Sequence, residues 1–385
     1  VDDLDFARSQ PVGLRHVGDN LAVPVFSDSA LRVKRFILLH GCQQLAYPFW
    51  REGPVDQETG EVKRRSEFRV SVCSRNSGSA GVRVYQNGES VGYRGTLRCG
   101  NVWTCIRCCS KVMRRRNEQI RRLFDCVHLV AGEALMVTFT AGHTPDQSLE
   151  FLLDGLKKAK RRLTQNKSFR RLIGSRDGAV TVTEVMFGDR GWHPHQHDAW
   201  FYCYEGAPDA EQLASDLFPL WEAACTAEGL KTIEFYKGRR IGVDVRASWS
   251  AAEYLTKFDR ERDWSVAAEI TAGRLKTGKS GSMTPWGLLE EAIQRGPDSM
   301  AAAKWIEYMR ATKNKAVVSL KAARELLELF ELPVDVDDVK DANEGGEGAV
   351  IGELTKEEFE EAARRGGLGR LLEQFRSAAA LQQPA

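Results

Sequence analysis

Two stretches of the chain, LMVTFT at 135–140 and AVTVTEVMF at 179–187, alternate apolar and polar residues in part with a period of two, and a third short strand-like stretch follows at 195–204. That period predicts strands. Between the first two, residues 148–172 place Leu152, Leu153, Leu156, Leu163 and Leu172 at helical spacing among basic residues, which predicts an amphipathic helix. A helix follows at 209–228 and a strand at 241–245, and SAAEYLTKF begins another helix at 251–258. The order β-α-β-β-α-β-α predicts an α+β fold built on an antiparallel sheet. Upstream, 1–65 has weak periodicity with a polar, turn-rich loop at 53–64, and 66–98 holds short alternating runs such as FRVSV and GVRVY. A basic helix is expected at 110–124. Downstream come a loop at 271–287, helices at 286–294, 298–312 and 316–330, and an acidic, glycine-containing linker at 333–350. Thr355 and Glu358 form a capping-box pattern ahead of a last short helix. Five regions are expected: an extension (1–65), a cysteine-bearing region with its basic helix (66–124), a central domain (130–265), a loop with helices (266–330), and an acidic linker with a terminal helix (331–385).

Composition changes this picture in two ways. The net charge of +2 hides a division: 331–385 holds 6 basic against 13 acidic residues, and the other 330 residues hold 49 against 40. A basic body beside an acidic tail points to an anionic partner for the body. No apolar run reaches 18 residues, so no membrane span is expected. The first thirty residues, five of them acidic, lack the order of a signal peptide. With nine cysteines, four of them between Cys99 and Cys109, the reading is metal chemistry in a reducing, cytoplasmic compartment.

Two constellations carry that chemistry. In GWHPHQH (191–197), His195 and His197 stand two apart on a strand and share a face. Glu184 is the only acidic residue of the preceding strand. With a turn at 188–192, antiparallel pairing would bring it near His197. His193, before Pro194, is expected outside the ladder. Two imidazoles and a carboxylate with open positions suit Mg²⁺ or Mn²⁺ acting on phosphate. Cys99, Cys105 and Cys108 supply three thiolates for a structural Zn²⁺, with Cys73 as fourth and Cys109 competing with Cys108. Tyr254 lies in a helical stretch with Lys257 on the same face. A phenol with a pKa near 10 is a poor nucleophile without a cation or metal beside it. Arg114 and Arg115, Arg161 and Arg162, and Arg239 and Arg240 are candidates to contact a phosphate backbone.

These stretches together resemble the HUH endonuclease superfamily, and within it the rolling-circle replication initiators of bacterial plasmids. The matching segments are LMVTFT, GWHPHQH, AAEYLTK (251–257), CGNVWTCIRC (99–108) and TPWGLL (284–289). The resemblance implies an HUH-type antiparallel sheet flanked by helices, with a zinc-binding region before it and a helical extension after it. It implies that His195 and His197 hold the metal. Tyr254 would attack single-stranded or hairpin origin DNA, leaving a 5′-phosphotyrosyl link and a free 3′ hydroxyl. The primer would serve a host polymerase and helicase. Relatives usually carry a small residue at the position of Cys109, which favours Cys108. Two positions depart from the pattern: Gln196 stands where the triplet is usually hydrophobic, and Ser250 where some relatives place a glutamate. A transposase or relaxase with the same chemistry, and a noncatalytic zinc-containing DNA-binding regulator, are the alternatives.

Overall fold

A computed structural model describes residues 28–55, 57–58, 60, 62–75, 81–88, 90–247, 282–334 and 348–381. Helix α1 (Asp28–Ala46) leads into two hairpins, β1 (Trp50–Val55) with β2 (Val62–Ser66), and β3 (Val82–Asn87) with β4 (Ser90–Arg94). Helix α2 (Ile106–Leu129) follows. Next come β5 (Glu133–Thr140), α3 (Leu149–Gln165), α4 (Lys167–Leu172), β6 (Gly178–Gly188), β7 (Gly191–Tyr202) and α5 (Ala210–Ala227). A short ribbon, β8 (Phe235–Tyr236) with β9 (Arg239–Arg240), precedes β10 (Val243–Ala247). The remaining elements are α6 (Pro285–Arg295), α7 (Met300–Ala311), β11 (Val318–Ser319), α8 (Arg324–Leu329), β12 (Ala349–Leu354), α9 (Lys356–Arg364) and α10 (Leu368–Leu381).

The central sheet has the order β10-β5-β7-β6-β11, and its strands pair antiparallel. The fold is therefore α+β, with open antiparallel sheets flanked by helices. Period-two side chains divide the sheet into two faces. Phe139, Trp192, Trp200 and Tyr202 join one buried core with Leu152, Leu156, Leu217 and Trp221 of α3 and α5. On the other face, Val180, Ala199 and Phe201 pack against Ile120, Leu123, Phe124 and Val127 of α2 and Leu326 and Leu327 of α8. Each fully buried leucine or phenylalanine contributes on the order of 1.5–3 kcal/mol by leaving water. The second core covers only part of its face. The odd-numbered positions 193, 195 and 197 of β7 continue that face, each half-buried.

Asp198 faces the first core and is 2% exposed. Its carboxylate accepts from Lys160 Nζ at 2.5 Å, Trp200 Nε1 at 2.9 Å and Thr181 Oγ1 at 2.8 Å. Lys160 also sits 3.6 Å from the centroid of the Phe139 ring. A buried charge with its hydrogen bonds filled is tolerated, whereas stripping one partner costs about 3–5 kcal/mol. The network pins β7 one residue beyond His197.

Several elements differ from the sequence reading. The helix expected at 148–172 is two helices, because Asn166 leaves the helical conformation and its side chain accepts from Ser168 N at 2.7 Å. FRVSV is a 3-10 turn rather than a strand. Its hydrogen bonds are local, from Ser71 N to Phe68 O and from Cys73 N to Val70 O. Part of 316–330 is strand β11, paired with β6. Helix α1 lies in a stretch whose periodicity is weak, yet it buries Phe36, Leu38, Leu39, Cys42, Leu45 and Ala46. Gly41 lets it approach α6, since a Cβ there would fall 2.3 Å from Ile293 Cδ1. The expected capping box is present: Thr355 Oγ1 accepts from Glu358 N at 3.2 Å, and the Glu358 carboxylate accepts from Thr355 N at 2.8 Å. Two helices follow it, not one. Strand β12 extends the β3–β4 sheet, Arg32 of α1 pairs with Glu373 of α10 at 2.8 Å, and Tyr93 donates to Leu368 O at 2.7 Å. Among the described residues no helix is long and apolar enough to cross a membrane.

Candidate metal centres

Four thiols meet where the small hairpins join α2. Cys73 ends the 3-10 turn, Cys99 lies in the loop after β4, Cys105 is the N-cap of α2, and Cys108 is in its first turn. All four are buried, and their sulfurs lie within 4.8 Å of one another. The closest approaches are 3.4 Å for Cys105–Cys73, 3.6 Å for Cys73–Cys108 and 3.7 Å for Cys99–Cys108. A tetrahedral zinc with Zn–S bonds of about 2.3 Å needs sulfur separations of roughly 3.8 Å, so the donor set fits that ion. None of the nine cysteines is in a disulfide. Cys109 is buried next to Cys108 but outside the set. Successive helical residues diverge by about 100°, which separates them.

Hydrogen bonds led by the Cys105 thiol hold Cys73 well below the ordinary thiol range and Cys108 below it, whereas Cys99 and Cys105 are pushed well above it, Cys105 chiefly by burial. The N-terminus of α2 favours negative charge at the same place. Two arginines reinforce it. Arg107 donates to Ser74 Oγ and lies 4.2 Å over the Phe36 ring, and Arg98 donates to Ser74 Oγ at 3.4 Å. Burial lowers Arg107 to about 10, against the opposing pull of the thiols of Cys73, Cys105 and Cys108.

The second centre lies on the half-buried part of the central sheet beyond the second core, which no helix among the described residues is seen to cover. Glu184 pairs with His195 across the β6–β7 ladder. Its Oε2 lies 2.8 Å from His195 Nε2 and 3.3 Å from His197 Nε2. Glu184 thus lies near His197 as expected, although the turn is shorter than the 188–192 read from the sequence. The turn is Asp189–Arg190, flanked by the pair Gly188↔Gly191, and Gly191 takes the left-handed φ of +82°. That turn sets Glu184 directly opposite His195, with His197 its diagonal neighbour on the same face. His193 lies inside the ladder, opposite Met186. Pro194 is accommodated because β5 ends at Thr140, opposite His195, leaving that flank of β7 without a sheet neighbour. Gln196 points to the other face, within 3.4 Å of Thr183 Oγ1.

Burial raises the Glu184 carboxyl, but hydrogen bonds from His195 and His197 outweigh it and hold the group well below the usual carboxylate range. The three donor atoms lie within 4.8 Å of one another. Adjacent donors on an octahedral ion with bonds of about 2.1 Å stand roughly 3.0 Å apart, which 2.8 and 3.3 Å bracket. Three donors on one side leave the remaining positions to solvent and substrate.

Residues not singled out from sequence complete this centre. Thr138 Oγ1 lies 3.0 Å from His197 Nδ1, fixing the ring with Nε2 toward Glu184. His143 stacks on His193 with ring centroids 4.8 Å apart, extending the row His193–His195–His197 to four imidazoles. Burial, then the neighbouring rings of His195 and His143, push His193 down to about 4. It is therefore neutral at pH 7. Thr138 gave no sequence signal, because its position becomes meaningful only once β5 is registered against His197. His143 lies three residues past a recognised strand, outside any repeating pattern. Thr138→Val, nearly isosteric, is expected to weaken Mn²⁺ binding by about tenfold or more, the usual cost of losing an outer-shell partner. Calorimetric titration with Mn²⁺ checks this, and an unchanged affinity removes Thr138 from the site.

The expected DNA-contacting arginines are dispersed. Arg114 is exposed and Arg115 half-buried on α2, which covers part of the histidine face. Arg161 and Arg162 lie on α3, behind the opposite face, and Arg162 binds Glu228 at 2.7 Å. Arg240 is held by Glu234, Glu211 and Ser215, whereas Arg239 is exposed. Tyr254, Lys257, Trp249, Ser250 and Trp264 lie outside the described residues.

Comparison with known proteins gives two relatives. The chain is 27% identical over 325 residues to "Protein rep" of Streptomyces lividans, an alignment covering 68% of this chain and 70% of that protein. It is 30% identical over 131 residues to "Neomycin resistance protein" of Streptomyces cyanogenus, covering 27% of this chain and 30% of that one. No family model matches the chain. No solved structure matches it. The chain is thus distantly similar to a protein named Rep and carries a four-cysteine cluster and a His-x-His/Glu cluster, both with metal-binding donor sets.

Proposed function

We propose that the chain is a metal-dependent, site-specific single-strand DNA endonuclease and strand transferase of the HUH kind, initiating rolling-circle replication of a plasmid. The observation that carries this reading is the convergence of Glu184, His195 and His197 on the part of a sheet face that no described helix covers. The similarity to a protein named Rep supports it.

In this reading Glu184, His195 and His197 hold Mg²⁺ or Mn²⁺, and Cys73, Cys99, Cys105 and Cys108 hold a structural Zn²⁺. The divalent ion would supply Lewis-acid polarisation of the scissile phosphate. The Tyr254 oxygen forms a bond to phosphorus as its phenolic proton is lost. The bond from phosphorus to the 3′ oxygen breaks, and that oxygen takes up a proton. The Lys257 ammonium stabilises the phenolate or the phosphate. The 5′-phosphotyrosyl link retains the bond energy for rejoining, which reverses the step. The free 3′ hydroxyl primes a host polymerase, with a helicase opening the duplex. The nicking domain is assigned to 130–265 and the zinc-binding region to 66–124.

The test is a denaturing gel with Mn²⁺, zinc-loaded protein and labelled single-stranded oligonucleotides tiling its own replicon. The expected result is a slow-migrating, protease-sensitive adduct, absent with Tyr254→Phe. Tight origin binding with neither cleavage nor adduct would instead identify a noncatalytic regulator.

A further inference from the structure

The segment 231–240 projects from the end of the sheet that carries the histidines. It is rooted there by two contacts: Gly142 N donates to Lys231 O at 2.6 Å, and Thr232 Oγ1 donates to Thr140 O at 3.1 Å. Thr140 is the residue paired with His195, and His143 follows one residue after Gly142. The ribbon β8–β9 is therefore tethered beside the row of imidazoles.

Its two faces differ. Directly opposite residues of an antiparallel pair share a face. Phe235 is opposite Arg240, and Tyr236 opposite Arg239. On the first face, the Arg240 guanidinium lies 4.6 Å from the Phe235 ring centroid and is neutralised by Glu234 and Glu211. On the second face, Tyr236 is 42% exposed and accompanied by exposed Arg239 and Lys237. Arg190, from the β6–β7 turn, stands 5.9 Å from the Tyr236 ring and Lys237 stands 5.4 Å from it. Among the described residues none of these three cations forms a salt bridge, in contrast to Arg240. An accessible ring inside a group of unneutralised cations matches the two demands of a flexible polyanion with flat, π-faced units.

We infer that the Tyr236 face of the ribbon, with Arg190, Lys237 and Arg239, is a docking site for single-stranded DNA, holding the strand on the approach to the His195–His197–Glu184 centre. Tyr236 stacks on a base, and the three cations meet adjacent phosphates. The site rests on the nuclease reading only for its purpose, since binding can be measured without chemistry. Duplex DNA fits less well, because its bases are already stacked and present no free face to a ring.

The experiment uses the full zinc-loaded chain without added divalent ion and a fluorescein-labelled 16-nucleotide oligo-dT, followed by anisotropy. The dT·dA duplex of the same length runs in parallel. Tyr236→Ala is expected to weaken oligo-dT binding by about tenfold with little effect on the duplex, and Tyr236→Phe, which keeps the ring, to restore it to within about twofold. Lys237→Gln with Arg239→Gln is expected to weaken binding and to flatten the slope of log affinity against log salt by about 1.4, the value for two phosphate contacts on a single strand. Melting curves of all variants exclude misfolding. The inference is overturned if Tyr236→Ala binds oligo-dT as wild type does, or if it loses duplex and single strand equally. It is also overturned if Tyr236→Phe is as defective as Tyr236→Ala, which would give the hydroxyl rather than the ring the decisive role. Absence of the Tyr254 adduct with these binding results intact would defeat the nickase reading alone.

Discussion

With zinc in the four-cysteine cluster, as proposed, its removal is expected to unfold the amino-terminal part of the chain outright. Cys73, Cys99, Cys105 and Cys108 tie together a 3-10 turn, a loop and the start of α2. The rest of this part is α1 and short hairpins, held by their packing on α6, α10 and β12. Structural zinc contributes about 10–16 kcal/mol in isolated zinc-binding peptides. Whole domains are stable by only about 5–15 kcal/mol. Loss of the ion also leaves four buried thiols beside half-buried Arg107, held only by weak sulfur hydrogen bonds. Treatment with a strong chelator, or Cys105→Ser, should therefore release close to one zinc per chain to a colorimetric reagent. The amide hydrogens of α1 and α2 should lose their protection from exchange. Cys109→Ser should keep the zinc, because that sulfur lies outside the set. A chelated protein that kept the melting temperature and exchange protection of the untreated protein would show that the thiols are only packing.

Under the proposed nicking reaction, His197→Ala is expected to reduce cleavage by about a thousandfold or more while leaving the fold intact. Lewis-acid stabilisation of a phosphoryl transition state is worth several kcal/mol, and each 1.36 kcal/mol is a factor of ten. The alanine removes one of three donors and leaves Glu184 with His195 alone. His197 is half-buried and stands outside both described apolar clusters, so stability should change little. The measurement pairs cleavage rate with Mn²⁺ affinity. His197→Ala should lose both, whereas Tyr254→Phe should lose the adduct and bind Mn²⁺ normally. Undiminished cleavage by His197→Ala would remove the histidine pair from the chemistry.

The central sheet was legible because its strands are long and partly exposed, so their alternation survives in the sequence. The His195–His197 face followed from period two alone, and the hairpin needed only the glycines around Asp189–Arg190. The details that depend on register were not legible. Glu184 stands opposite His195 because the turn holds two residues, and no pattern in GDRGW distinguishes that from a longer loop. Thr138 and the stacked His143 belong to the site through tertiary pairing. Helix α1 was missed because Gly41 and polar residues interrupt its apolar stripe, and the interruption makes sense only against Ile293. β11 is two residues long and exists through its pairing with β6. The acidic stretch after 333 obscured β12, whose six residues are ordered by β3 rather than by their own propensity.

That last pairing bears on how the chain is made. β3 emerges from the ribosome some 260 residues before β12, so during synthesis one of its edges stays open. An open edge invites pairing with the wrong partner, and a contact between such distant positions forms late. The sheet beside the cysteine cluster is completed only when residues 349–381 have been translated. A prematurely terminated chain would carry the histidine centre but lack this closing strand and the Arg32–Glu373 clasp. Such a fragment is expected to be cut by proteases faster than the full chain, because its β3 edge is unpaired.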